Sequence, residues 1–221
     1  MNKTTQDRSL GLTLRPLTPK DSIHELTEVI NAAFAMRKEQ GLQYAGVNQN
    51  AAGTRRRIKN GECYVAIVNE RIVGTGTIHP PGSRHGNPWY RHPRVARFSQ
   101  LAVHPDYRGQ GIARELLWVC EARAVEMGAA AICLDTSEYA TELIEYFERC
   151  GYKIVDRMIL SHTNYPSVIL CKHVDNGRSI RVSRLKMTLF NLRQRVRRVF
   201  GRLPLRLQAL IARLLGKRLM R

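Results

Sequence analysis

The stretch "HPDYRGQGIARELL", residues 104–117, sets two glycines and an arginine just before an apolar, helix-forming run. Glycine in a helix's first turn costs stability, so it marks a place where something approaches the main chain closely. The first amides of a helix lack intrahelical partners and sit at the positive end of its dipole. A loop of small residues there is an anion site, and phosphate is the usual anion. Taken alone, the same glycines also suit a tight turn.

The flanking sequence supplies a context. "VARFSQLAVHP" (95–105) reads as a strand stopped by Pro105, and the loop then opens a helix carrying Ile112, Leu116, Val119, Cys120 and Met127. Further on, "AAAICLDT" (129–136) is a buried strand by its near-continuous apolar character. "ATELIEYFERCGY" (140–152) is an amphipathic helix stopped at Gly151, and "KIVDRMIL" and "SVILCKHV" are two last strands. Upstream, "LTLRPLTP" (12–19) is a short strand, and Asp21 or Ser22 caps a helix running to about Met36. "NAAGTRRRIKNGE" (50–62) is a short polar helix and turn, and "CYVAIVNERIVGTGTI" (63–78) is a hairpin around Asn69, Glu70 and Arg71. Residues 79–93 hold four prolines and two glycines and read as a long loop. The order β-α-α-β-β-β-α-β-α-β-β predicts an α/β (α+β) layer: a mixed sheet with helices on its faces.

The bulk numbers fit one such domain plus an appendage within 221 residues. Five cysteines, an odd count with no C-x-x-C pair, argue against a disulfide framework or zinc site and for a reducing compartment. No apolar signal segment opens the chain, and no run of about 18 apolar residues occurs, so the expected location is cytoplasmic. The charge of +18 is unevenly spread: residues 172–221 hold 15 Lys/Arg against Asp175 alone, a balance of +14. The expected division is a domain over 12–173 and a basic helical tail over 174–221.

Within the domain, residues 12–173 resemble the GNAT N-acetyltransferase superfamily. Arg108, Gly111 and Ala113 in "RGQGIA" match its Arg/Gln-x-x-Gly-x-Gly/Ala signature. "LAVHPDYRG" and "YFERCGY" match the runs before and after it, in the right element order. The resemblance implies acetyl transfer from acetyl-CoA to a primary amine by direct attack on the thioester, with no metal. It places the pyrophosphate on main-chain N–H groups of Arg108, Gly109, Gln110, Gly111, Ile112 and Ala113. It pairs the pantetheine arm with main-chain groups of Leu101 and Val103, one of which polarises the thioester carbonyl.

The acid and base are not filled by the usual residues. The family often has a tyrosine four residues before the helix-ending glycine; here that residue is Phe147, and Tyr146 precedes it. A glutamate common on the fourth strand is replaced by Ser99 and Gln100. Tyr146, Asp135 and His79 are therefore the candidates, each with a structural reading beside it: a core tyrosine, a capping aspartate, a solvated histidine. Residues 79–97 also carry Arg84, His85, Arg91, His92, Arg94 and Arg97, which point either to an acceptor with an anionic group or to a solvated basic loop. Two other functions stay open: an acyltransferase drawing on acyl carrier protein, and a non-catalytic module binding acyl-CoA or associated with nucleic acid.

In the tail, Val182, Leu185, Leu189, Leu192, Val196 and Val199 form one apolar stripe on a helix, with arginines around the rest. Gly201 and Pro204 break it before a second helix. The pattern over 178–221 suits an anionic membrane surface at the inner face of the membrane, then self-association as a homodimer, then nucleic acid.

Overall fold

The computed structural model describes residues 11–83, 87–174, 180, 182–208 and 211. Seven strands form one mixed sheet in the order β1-β2-β3-β4-β5-β7-β6. They are β1 (Thr13–Pro16), β2 (Glu62–Val68), β3 (Arg71–His79), β4 (Val95–Val103), β5 (Ala131–Ser137), β6 (Lys153–Ile159) and β7 (Pro166–His173). Neighbours pair antiparallel except β4 and β5, which run parallel. The helices are α1 (Ile23–Glu39), α2 (Ala51–Ile58), α3 (Ile112–Glu126), α4 (Thr141–Arg149) and α5 (Arg184–Phe200). The mixed α/β layer and its element order match the expectation.

Local chemistry sets the boundaries. Ser22 caps α1 by accepting from the Glu25 amide at 3.2 Å, which leaves Asp21 to accept two 2.7 Å bonds from Arg15. Asn50 caps α2 through the Gly53 amide at 2.8 Å. Asn69 and Glu70 both take positive φ (48° and 64°), the geometry that a two-residue hairpin turn between β2 and β3 requires. At the end of α4, Gly151 has φ 90°, and Tyr152 donates back to the Phe147 carbonyl.

Three hydrophobic clusters hold the layers. α3 presses Ile112, Leu116, Leu117, Cys120 and Ala124 onto one sheet face, and α1 covers the other with Leu26, Val29 and Ile30. The third cluster joins Met158, Leu160 and Ile169 to Trp89 and Tyr90 of the proline-rich loop, and to Met187 and Phe190 of α5.

Two expectations change here. Cys133 and Cys171 are direct cross-strand partners on β5 and β7 and are joined as a disulfide, whereas Cys63, Cys120 and Cys150 are free. Residue spacing carries no register, so this pair was not visible in the sequence. The tail also starts as part of the domain. α5 docks through Met187, Phe190 and Gln194, while its Leu/Val stripe faces away from the domain. The second tail helix falls largely outside the described residues. Among the described residues, no helix is long and apolar enough to cross a membrane, and no group of three His, Cys, Asp or Glu comes together.

Candidate active site

β4 and β5 pair only from Val95 to Arg97, opposite Ala131 to Cys133, and then separate. The cause lies in β4, where an extra residue bulges against β3 between the Thr77–Ser99 and Thr75–Ala102 pairs. Gln100 takes φ 57° there. A bulge bends its strand and ends the pairing on the far side. The gap opens into a cleft of about 1100 Å³, walled by Phe98–Val103 of β4, Leu134–Thr136 of β5 and Tyr146 and Phe147 of α4.

One end of the cleft meets the glycine loop. Gly109 (φ 74°) and Gly111 (φ 81°) are left-handed, and a Cβ added to either would meet nothing within 4 Å. Glycine is needed for the backbone conformation, and the space outside it is open. Gly111 begins α3 without any side-chain cap, and the N–H groups of residues 109–113 find no acceptor among the described residues. Five successive amides without acceptors at a 15-residue helix's positive end are an arrangement able to hold an anion. Arg108 spans the cleft mouth and donates to the Ala33 carbonyl of α1 at 2.8 Å. Leu101 and Val103 lie on the stretch of β4 that β5 has left, beside Ala113 on the cleft wall.

The other end is built from α1, α2, the β3–β4 loop and the β6–β7 loop. Asn164 ties the last of these to the segment after α1, donating to the Gly41 carbonyl at 2.7 Å and accepting from the Gln43 amide at 3.0 Å. From outside, Arg198 of α5 donates to the Leu160 and Thr163 carbonyls at 2.8 and 2.9 Å. Tyr44 stacks between Phe34 and Tyr165, and its hydroxyl accepts from the Ser137 amide at 2.9 Å.

The three catalytic candidates all border this cleft. Asp135, at the splayed end of β5, accepts a 2.5 Å bond from the Tyr90 hydroxyl through one oxygen. That bond and burial raise the tyrosine's pKa well above its usual value, burial being the larger cause. His79 is buried, and its Nε2 accepts from Arg97 at 2.7 Å beside the Ser99 hydroxyl at 3.2 Å. The Tyr146 hydroxyl is buried with the Cys150 sulfur close by, and burial and that thiol raise its pKa. Phe147 is also buried and packs edge-on against Tyr146 at 5.3 Å.

The sequence reading missed several residues that the fold brings to this cleft. Arg57 of α2 lines it and donates to Gln49 Oε1 at 2.8 Å. Arg37 is buried and paired with Glu142. Trp89 and Tyr90 anchor a loop that looked only basic and turn-rich, Trp89 by donating to Asp156 at 3.0 Å. Their signal was an aromatic pair inside a proline-rich loop, which is more apolar than a solvated loop needs. Arg84 and His85 lie outside the described residues. Arg91 and His92 do not line the cleft, whereas Arg97 does.

Residues 23–152 match the acetyltransferase (GNAT) family. The S-(2-succino)cysteine N-acetyltransferase of Bacillus subtilis (strain 168) is 28% identical over 130 residues, which cover 58% of this chain and 76% of that protein. The fold is similar to that of a GNAT family acetyltransferase from Elizabethkingia anophelis with acetyl-CoA bound (TM-score 0.53, 15% identity, 73% of this chain and 97% of that one). It is also similar to the ribosomal-protein-S18-alanine N-acetyltransferase of Escherichia coli (TM-score 0.56, 15% identity, 77% and 99%). With the splayed β4–β5 pair and the free amides of the glycine loop in place, the chain belongs to the acetyltransferase (GNAT) family.

Proposed function

We propose that this enzyme transfers an acetyl group from acetyl-CoA to a primary amine bound at the far end of the cleft. The observation that carries the reading is the continuity of one cleft from the free amides of residues 109–113, along the unpaired edge of β4, to Asp135. Acetyl-CoA supplies an activated thioester, which the amine attacks with loss of the thiolate.

The residues present fit that donor. Amides 109–113 receive the pyrophosphate where Gly109 and Gly111 leave open space. The main chain of Leu101 and Val103 offers strand-type pairing that β5 does not take up, and an N–H there stabilises the developing oxyanion. Asp135 keeps one carboxylate oxygen without a hydrogen bond among the described residues after Tyr90 and is the group we assign to hold the ammonium and accept its proton, directly or through water. His79 is assigned a positioning role, because Arg97 is a donor only and therefore occupies the Nε2 lone pair. Tyr146 remains protonated at neutral pH, but its hydroxyl is directed into packing beside Cys150. The leaving thiolate takes its proton from water, which its pKa of about 8.5 makes an easy step.

The test is calorimetric titration with acetyl-CoA, followed by thiol release over a panel of amines, amino acids and peptides. Binding with amine-dependent release supports the reading. Binding without release from any amine makes the chain an acyl-CoA-binding module. Release only from acyl carrier protein makes it an acyltransferase of the second kind.

A further inference from the structure

The acceptor end of the cleft carries half-buried positive charge that the described residues do not fully neutralise. Besides Arg108 at the glycine-loop end, its charged walls comprise Arg37, Arg56, Arg57, Lys59 and Arg97 against Asp135 and Glu142. Arg37 is already paired with Glu142, and Arg56 and Lys59 stand exposed at the rim. Arg57 and Arg97 remain, each with one hydrogen-bond partner among the described residues, and both partners are neutral: Gln49 Oε1 and His79 Nε2. Arg97 Nε is buried with none. Among the described residues Asp135 is the one carboxylate acting on both guanidiniums, and burial, the larger cause, together with the Arg97 charge disfavours the charged form of Arg57. Half-buried guanidiniums near one another without a full set of counter-ions are costly unless an anion joins them.

A third group points the same way. Arg57 can only donate, so it fixes Gln49 with Oε1 toward the guanidinium and Nε2 outward. Gln49 Nε2 then donates to Gln100 Oε1 at 2.9 Å, which fixes Gln100 in turn. Gln100 Nε2 is left as a buried donor with no acceptor, on the bulge of β4 that borders the cleft. The chain Arg57–Gln49–Gln100 thus presets a neutral donor beside two cationic ones. Such an array binds a carboxylate through several charge-assisted bonds.

We propose that the acceptor is an anionic amine of amino-acid type, its carboxylate bound by Arg57, Arg97 and Gln100 Nε2 while its amine faces Asp135. The inference rests on the acetyl-transfer reading above. The test compares L-amino acids, aspartate and glutamate included, with their carboxamides and their decarboxylated amines. Thiol release from acetyl-CoA and protection against thermal unfolding in the presence of CoA are both recorded. The expected kcat/KM is at least tenfold higher for the carboxylates. Arg57→Gln and Arg97→Gln each raise KM for them tenfold or more, with acetyl-CoA affinity held within twofold. Amides or decarboxylated amines used equally well, or no carboxylate-dependent protection, overturn the anion site. Carboxylate-dependent protection without turnover of any amine keeps the site and overturns the transferase reading instead.

A different observation carries a second inference. At about 100° per residue, Leu185, Leu189, Leu192, Val196 and Val199 lie on the side of α5 opposite to its docked face. All five are 48–67% exposed. Lys186 and Arg193 follow one flank of this stripe and Arg184 and Arg195 the other, all exposed. The chain after α5 holds Arg202, Arg206, Arg213, Lys217, Arg218 and Arg221 with no acid, so laying it over the stripe would bring like charges together. An apolar strip between rows of cations complements an anionic lipid surface. We infer that α5 docks the protein on anionic membranes through this outer face. Full-length protein should co-sediment with phosphatidylglycerol-containing vesicles at low salt and not with phosphatidylcholine alone. The variant L185S/L192S/V199S, whose sites are all exposed, should lose that binding with its circular dichroism unchanged. Indifference to anionic vesicles overturns the inference, whether the protein then proves dimeric through this stripe or binds duplex DNA.

Discussion

Arg97 and His79 face each other as register partners on β4 and β3, and the guanidinium donates to the imidazole Nε2 at 2.7 Å. A guanidinium has no lone pair, so the imidazole accepts at Nε2 and carries its proton on Nδ1. In that state the nitrogen nearest Arg97 is not available to take a proton from substrate.

His79→Asn should therefore act on acceptor binding. KM for the acceptor should rise several-fold as Arg97 loses its anchor, with kcat changed less than about tenfold and the pH profile of kcat retained. A general base would cost roughly 10²–10⁴ in kcat and remove a limb of that profile. Steady-state kinetics across pH separate the two.

Gly111 begins α3 at φ 81° over open space. Gly111→Glu puts a side chain and a negative charge where the proposed site would receive the pyrophosphate, and donor affinity should fall more than tenfold. Backbone strain contributes to any substitution here, so Gly111→Asn, which tolerates the left-handed region, serves as the control and should lose far less. Equal affinity for acetyl-CoA in the glutamate variant and the wild type would show that the donor lies elsewhere.

Tyr146 and Phe147 both border the cleft, but the Tyr146 hydroxyl is buried beside Cys150. Tyr146→Phe should leave turnover within a few-fold, and Phe147→Tyr should preserve or raise it. A loss of about 10²-fold or more in Tyr146→Phe, with folding and donor binding intact, would make Tyr146 the acid.

Phe190 is 8% exposed in the cluster with Trp89, Met158 and Leu160, and Arg198 and Gln194 hold the β6–β7 loop. Phe190→Ala should cost ~3 kcal/mol, the lower end for a buried phenylalanine. Truncation after Val174 should destabilise the domain further and raise the acceptor KM through the freed loop. Urea unfolding curves unchanged by Phe190→Ala would mean that α5 does not pack here.

Arg15 holds the Asp21 carboxyl well below the usual carboxylate range, with Thr18 adding two more bonds. A lowered folded pKa stabilises the fold above the unfolded value of about 3.9 and is lost as pH falls through the folded one. Asp21→Asn should therefore lower the urea midpoint at pH 7, and its gap to wild type should narrow steadily below about pH 4. A constant gap from pH 7 to pH 2 would assign the effect to some other interaction.

What the sequence alone determined was local and periodic. The glycine loop, the strand before it and the amphipathic helices are set by propensity, capping and apolar spacing within a dozen residues, and the element order follows from them. The proposed donor site, Leu101, Val103 and the loop 108–113, could be suggested for that reason: its members lie within one short stretch and would act through main-chain groups, although the fold commits the Arg108 amide to the Pro105 carbonyl. The tertiary structure decided the rest, because it depends on register and packing. Cys133 meets Cys171 only once β5 and β7 align. Arg57 and Gln49 come from the α2 region, and only folding brings them to the bulge at Gln100 on β4. α5 shows the same division most sharply. Of the expected stripe, Leu185, Leu189, Leu192, Val196 and Val199 lie exposed along α5, whereas Val182 precedes the helix and packs on the third core cluster; the fold buries the opposite face, because Met187 and Phe190 fill that cluster while Asn191, Gln194 and Arg198 bond to the β6–β7 segment. Periodicity finds an apolar face, but only complementary packing and satisfied polar groups choose which face is buried.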